Sequence, residues 1–145
     1  MDSIIGVIFP LPKNIIDFMF SNQRDVFVKY TSRPPLKKTK KRIQEGMKLY
    51  IYESGGEKTI IGEACIKKSD YLDMNSILNT YLERLMIPEE DFKNYAKGRE
   101  EKKALVLELD SLKRYKKPVK LLKPMTMAGL HLTKETKKEL FAQEQ

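Results

Sequence analysis

The sequence predicts an α+β domain in which five to seven strands form a small mixed β-barrel, closed or nearly closed, with flanking helices. Three observations carry that expectation. Stretches of period-2 and of helix-period hydrophobicity alternate along the whole chain rather than falling into blocks. Gly55-Gly56 stands between two strand-like runs, "MKLYIYES" and "TIIGEACIKK", which is hairpin punctuation. The chain has 145 residues, 41% of them apolar, enough for one domain spanning 1–145 with its own core. Mixed element order with short hairpins favours closing the sheet on itself.

The elements follow in order. "SIIGVIF", residues 3–9, suits a buried strand that Pro10 and Pro12 end. Ile15, Ile16, Met19 and Phe20 recur at helical spacing and predict a helix over 13–23. "DVFVKYT" alternates, with Phe27, Lys29 and Thr31 opposite Val26, Val28 and Tyr30, and the apolar Phe27 implies that both faces are partly covered. After Pro34-Pro35, "LKKTKKRIQEG" reads as a short helix capped by Gly46. Met47, Leu49 and Ile51 then oppose Lys48, Tyr50 and Tyr52 along a strand, and Gly62 in its hairpin partner marks a bulge or a close approach. Asp73 caps a helix whose stripe is Ile77, Leu78, Tyr81, Leu82 and Leu85. Pro88 followed by Glu89, Glu90 and Asp91 starts another, stopped at Gly98. "KALVLELDS" is a buried strand, "KPVKLLKP" an extended segment, "MTMAGLHL" a last strand or turn, and "KETKKELFAQ" a terminal helix after Thr133.

Charge is unevenly spread. The net charge is +8, but residues 29–48 alone hold eight basic side chains against one acid, Glu45. Residues 112–123 hold six and no acid, so the remainder of the chain is mildly acidic. That asymmetry is what a localised electrostatic footprint looks like. No stretch approaches the roughly 20 apolar residues that span a bilayer, and no basic amphipathic helix accompanies the lysines. "MDSIIGVIF" lacks a signal peptide's basic start, and the single cysteine, Cys65, cannot form an internal disulfide; a reduced, cytoplasmic protein without membrane contact is expected. His131 stands alone, the acids show no metal-ligand spacing, and there is no P-loop or GxGxxG, so neither metal nor cofactor is expected.

The stretches "VFVKYTSR", "EGMKLYIYESGGEKTIIGEACI" and "PMTMAGLHL" together resemble the PUA-like superfamily over residues 3–132. Within it the chain is most similar to an uncharacterised, mainly archaeal family related to ASCH and EVE domains. The resemblance implies a compact barrel that binds RNA or a modified base in a cleft beside it. Some ASCH members are hydrolases of a modified nucleoside or of RNA.

Binding is the first expectation. Lys37, Lys38, Lys40, Lys41, Arg42, Lys116 and Lys117 are candidate phosphate contacts, because flexible ammonium groups neutralise phosphates without demanding geometry. Lys29 belongs to the same basic segment, and Arg33 offers the bidentate fork that lysine lacks. Tyr30 or Tyr52 would stack on an unpaired base. The same lysines also suit a solvated loop, and convergence of the two segments on one groove decides between these readings. A hydrolase is the alternative: Lys29, Thr31 and Glu63, on strands expected to be adjacent, are similar to the Lys/Thr/Glu set of ASCH amidohydrolases, although Lys29 and Thr31 stand closer in this chain than in that set. A plain Lys29–Glu63 ion pair would serve structure only. A protein-interaction module is the third reading.

Overall fold

A computed structural model describes residues 5–30, 45–55, 59–121, 130–132, 135 and 137. Among the described residues six strands, β1 (Gly6–Pro12), β2 (Val26–Lys29), β3 (Lys48–Ser54), β4 (Thr59–Leu72), β5 (Ala104–Lys120) and β6 (Leu130–Leu132), form one mixed sheet. Its order is β2-β5-β4-β3-β1-β6. The β1–β3 pair is parallel and the other neighbours are antiparallel. The helices α1 (Lys13–Ser21), α2 (Met74–Tyr81) and α3 (Glu89–Ala96) connect and flank it, with a 3-10 turn at Leu82–Arg84. Among the described residues no helix is long and apolar enough to cross a membrane.

The expected barrel is not closed by hydrogen bonds: β2 and β6 end the strand order without pairing to each other among the described residues. Closure comes from side chains instead. Phe9 of β1 stacks on Phe27 of β2 with ring centroids 4.9 Å apart and planes 16° apart. Bulges in β5 provide the curl. Between the pairs Glu63–Lys113 and Cys65–Asp110, β4 advances two residues while β5 advances three, and Ser111 there takes φ +56. Between Gly62–Arg114 and Ile60–Val119, β4 advances two and β5 five. Such surplus on one strand bends it and increases its twist, and Pro118 sits in the larger bulge, where it has no ladder bond to lose.

Two apolar clusters follow from the strand alternation. Val7, Phe9, Leu49 and Ile51 face the main core with Ile16, Met19, Phe27, Ile77 and Phe92. Ile8, Tyr50 and Tyr52 point to the other face, where they pack with Ile60, Leu121 and Leu132. The same alternation sends Ile60 to the second cluster and Ile61 to the first, and the β3–β4 register shifts beside them, between Ile51 and Tyr52. Three strand boundaries differ from the sequence expectation. β1 runs through Pro10 to Pro12, because its parallel pairing with β3 continues to Pro12 opposite Ser54. β4 continues to Leu72, and the two extended runs after Gly98 merge into the single β5. The helix expected over 36–46 lies outside the described residues, as does nearly all of the terminal one; Gly46 does take the left-handed φ of +89. Asp73 caps α2 as expected, its Oδ1 accepting from the Ser76 amide at 2.8 Å.

Candidate functional site

The sequence places two apolar residues and an amine on successive positions of β2, and the curl turns them toward α3. Between the end of β1, the start of α1, β2 and α3 lies a cleft of about 360 Å³. Its walls are apolar, with Leu11, Ile15, Phe27, Met86 and Ile87, and its polar groups are Lys29, Asp91, Asn94 and Tyr95. Lys29 shares a strand face with Phe27, so its Nζ lies 5.5 Å from the centroid of the Phe9 ring. Burial against those rings withdraws water from the ammonium and lowers its pKa from 10.5.

The cleft's rim is an aromatic and cationic stack. The Tyr30 amide donates to the Tyr95 hydroxyl oxygen at 2.8 Å, and the two rings meet edge to face at 5.2 Å. The Arg99 guanidinium lies 5.5 Å from the Tyr95 ring and 5.8 Å from the Tyr30 ring. The same guanidinium donates to the Tyr95 carbonyl at 2.6 Å, which fixes it at the end of α3. Burial and the nearby Tyr95 raise the pKa of Tyr30.

A second constellation lies on the face of the smaller cluster. Glu63 Oε2 is 2.6 Å from Lys48 Nζ, and its Oε1 accepts from the Tyr115 hydroxyl at 2.6 Å. Burial alone would raise the Glu63 pKa; the bonds from Lys48 and Tyr115, with the Lys48 and Lys113 charges, outweigh it and hold the carboxyl below 4.5. This carboxylate joins the end of the first basic segment (Lys48) to the second (Lys113 and Tyr115) across three strands.

The remaining expectations divide plainly. Lys29 lines the cleft and Tyr30 borders it, with its ring already engaged by Tyr95 and Arg99. Lys116 and Lys117 are exposed on the larger bulge of β5. Thr31, Arg33, Lys37, Lys38, Lys40, Lys41 and Arg42 lie outside the described residues. Tyr52 is 6% exposed and packs beside Ile8 and Ile60, so it offers no ring face to a base; alternation sends it into the second cluster. Lys29 and Glu63 are not on adjacent strands, since β5 separates β2 from β4. Lys29 pairs with Leu105 and Glu63 with Lys113, eight positions farther along β5, so neither the ion pair nor the Lys29–Glu63 part of the hydrolase set assembles. No group of three metal-ligating side chains occurs among the described residues.

Sequence reasoning missed Asp91, Asn94 and Tyr95. Their spacing of i, i+3 and i+4 placed them on one face of α3, opposite the buried Phe92 and Ala96. The signal was weak because a polar helix face is usually just solvated.

Solved structures of one bacterial protein share this fold. The ASCH protein of Zymomonas mobilis is 19% identical, with a TM-score of 0.73, covering 93% of this chain and 92% of that one. Its serine-to-alanine mutant is 18% identical, with a TM-score of 0.74 and 96% of each chain covered. Its tyrosine-to-phenylalanine mutant is 17% identical, with a TM-score of 0.73, covering 93% of this chain and 95% of that one. At such identity the likeness speaks for the fold. No curated protein matches the chain. Residues 4–134, nearly its whole length, match the family described as "Domain of unknown function (DUF365)", and the chain belongs to that family.

Proposed function

We propose that the protein, acting as one PUA-like domain, binds RNA by admitting a single base to the β1/β2/α3 cleft while its lysines hold the neighbouring phosphates. The cleft itself carries this reading. Its volume of about 360 Å³ falls within the range of small-ligand sites, and its walls are apolar with a few convergent polar groups. In sequence, β2 leads from the cleft straight into the most basic segment, with Arg33, Lys37, Lys38, Lys40, Lys41 and Arg42. Stacking on apolar and aromatic walls with cations along the backbone is how unpaired RNA is held. The test is a salt titration of affinity for a fluorescent single-stranded RNA. The expected log–log slope is about −0.7 per phosphate contacted. Lys29→Ala should weaken binding at every salt concentration. A flat slope, or no binding at low salt, rejects the reading.

One observation favours a second reading, an ASCH-type hydrolase of nucleosides or RNA. The desolvated Lys29 amine carries a larger neutral, basic fraction than an exposed lysine, as a general base or nucleophile requires. The carboxylate sharing its cleft is Asp91 rather than Glu63. Incubation with acylated nucleosides and small RNAs decides the matter: turnover is expected to vanish in Lys29→Ala, and turnover that survives removes the site.

A further inference from the structure

We propose that Arg99 is the anchor for the phosphate next to the base that enters the cleft, gripping it with the open edge of a guanidinium that the fold already holds in place. This rests on the reading that the cleft takes the base of an RNA, and adds which residue meets the adjoining phosphate.

A guanidinium carries five N–H donors and no acceptor, so its present partners define what it has left to give. One Arg99 N–H is spent on the Tyr95 carbonyl at 2.6 Å, in the last turn of α3. The cation also rests on two rings: its central carbon lies 5.5 Å from the Tyr95 centroid and 5.8 Å from the Tyr30 centroid, and those centroids are 5.2 Å apart. Attraction to a ring face acts on the charge and uses up no hydrogen-bond acceptor. Among the described residues Arg99 makes no ion pair, not even with Glu100, its neighbour in sequence. Arg84 and Arg114, by contrast, are paired with Asp25 and Glu108 and with Asp17. Closing the end of α3 therefore accounts for one N–H of Arg99 and leaves the rest of the fork without a protein acceptor among those residues. Two oxygens of a phosphate match such a fork, which binds them with parallel charge-assisted bonds. Because the carbonyl and both rings already restrict the side chain, little rotamer freedom is left to lose when the anion arrives.

Position decides which phosphate. Tyr95 lines the cleft, and Tyr30 leads in sequence from β2 into the basic segment. Arg99 rests on both, so it stands where the cleft meets the start of that segment. The chain around it strengthens the field: residues 97–103 hold Lys97, Arg99, Lys102 and Lys103 against Glu100 and Glu101. The acids that interrupt this run hide it from a count of charge along the sequence. Within the cleft, the Asp91 carboxylate accepts while the Asn94 amide both donates and accepts, which suits more than one base. Arg99 accordingly adds affinity for the phosphate and leaves the identity of the base open.

The experiment titrates adenosine and uridine, each as the nucleoside and as its 3′- and 5′-monophosphates, into the intact protein, Arg99→Gln and Arg99→Lys, followed by NMR. The quantity read is the affinity ratio of monophosphate to nucleoside for the same base, which cancels any general disturbance of the cleft. In the intact protein one of the two monophosphates should exceed its nucleoside by about 10-fold with either base, the size of a hydrogen bond between charged groups. Arg99→Gln should bring that ratio to unity. Arg99→Lys, which keeps the charge without the planar fork, should restore only part of it. A ratio of unity in the intact protein overturns the proposal. So does a ratio that Arg99→Gln preserves, which would make Arg99 a clasp for Tyr30 and Tyr95 alone, and so does full restoration by lysine. Anisotropy with ten-residue oligouridine and oligoadenosine RNAs separates this from failure of the RNA reading. Should neither oligomer bind while the monophosphate advantage is present and lost in Arg99→Gln, RNA binding fails and the phosphate anchor holds. Should an oligomer bind while the ratio stays at unity, RNA binding stands and the anchor falls. Should no nucleoside, nucleotide or oligomer bind, both fall.

Discussion

The hydroxyl of Tyr30 is out of contact with water and has no hydrogen-bond partner among the described residues. An unsatisfied buried hydroxyl carries a desolvation penalty of about 1–3 kcal/mol, so removing it relieves the fold rather than harming it. Tyr30→Phe is expected to keep the stack with Tyr95 and Arg99 and to raise stability by up to about 1 kcal/mol, read as a higher urea midpoint at unchanged m. A clear loss of stability would mean that the oxygen has a partner in the folded protein. Glu63 is the opposite case, a group whose bonds outweigh its burial. Its carboxyl is held below 4.5, so in acid the unfolded chain binds more protons than the folded one. The stability it contributes is therefore complete above pH 4.5 and is lost as the pH falls through the folded pKa. Glu108, bonded by the Tyr81 hydroxyl and Arg84, shifts the same way and adds to that acid loss. Lys48 is 43% exposed, and solvent screens its attraction to Glu63. Glu63→Gln should accordingly lower stability by only about 1 kcal/mol at pH 7. Denaturation curves at both pH values should show that difference shrinking by pH 3, and a difference that stays constant would contradict the assignment.

At the scale of elements, β4 and β5 show how a long hairpin becomes a curved wall. A Cβ added at Gly62 would lie 2.6 Å from the Lys113 carbonyl oxygen and 3.1 Å from Phe20 Cζ of α1. The backbone oxygen cannot swing aside as a side chain can, so the ladder or the helix has to shift. Gly62→Ala should cost about 1–3 kcal/mol, the range for overpacking, and a thermal melt should show the corresponding drop in Tm. Sequence reading marked Gly62 as a bulge or close approach, and both are present: the register shifts beside it, and a neighbouring strand and helix press on it. It was less successful with proline. The sequence alone predicts that Pro10 and Pro12 end β1, yet a proline ends a strand only where its missing N–H is needed. β1 keeps its pairing with β3 through Pro12 opposite Ser54, so neither proline interrupts it. Likewise Pro118 does not divide the second half of β5, because it occupies a bulge.

For the whole molecule the question is electrostatic. Lys48, Lys113 and Tyr115 meet around Glu63, and Lys116 and Lys117 project from the adjoining bulge. If that bulge contacts RNA phosphates, replacing both lysines by alanine should flatten the salt dependence by about 1.4 in log–log slope, roughly 0.7 for each. An unaltered slope would assign the bulge to solvent.

The order of elements, the two faces of β3, the cap of α2 and the uneven charge were legible in the sequence, because each depends on residues within a few positions of one another. Lys29 was recognisable as a candidate for the same reason: it closes an alternating strand and opens the basic segment, and both features are local. What the tertiary structure alone decided was pairing over long separations. It sent Tyr52 into a second core, gave Glu63 to Lys48 and Tyr115 instead of Lys29, and brought Tyr95 to the amide of Tyr30, 65 residues away. Strand order and bulges fix those partners, and neither has a local periodicity: a single inserted β5 or a one-residue shift changes which side chains meet while leaving every strand's own pattern intact.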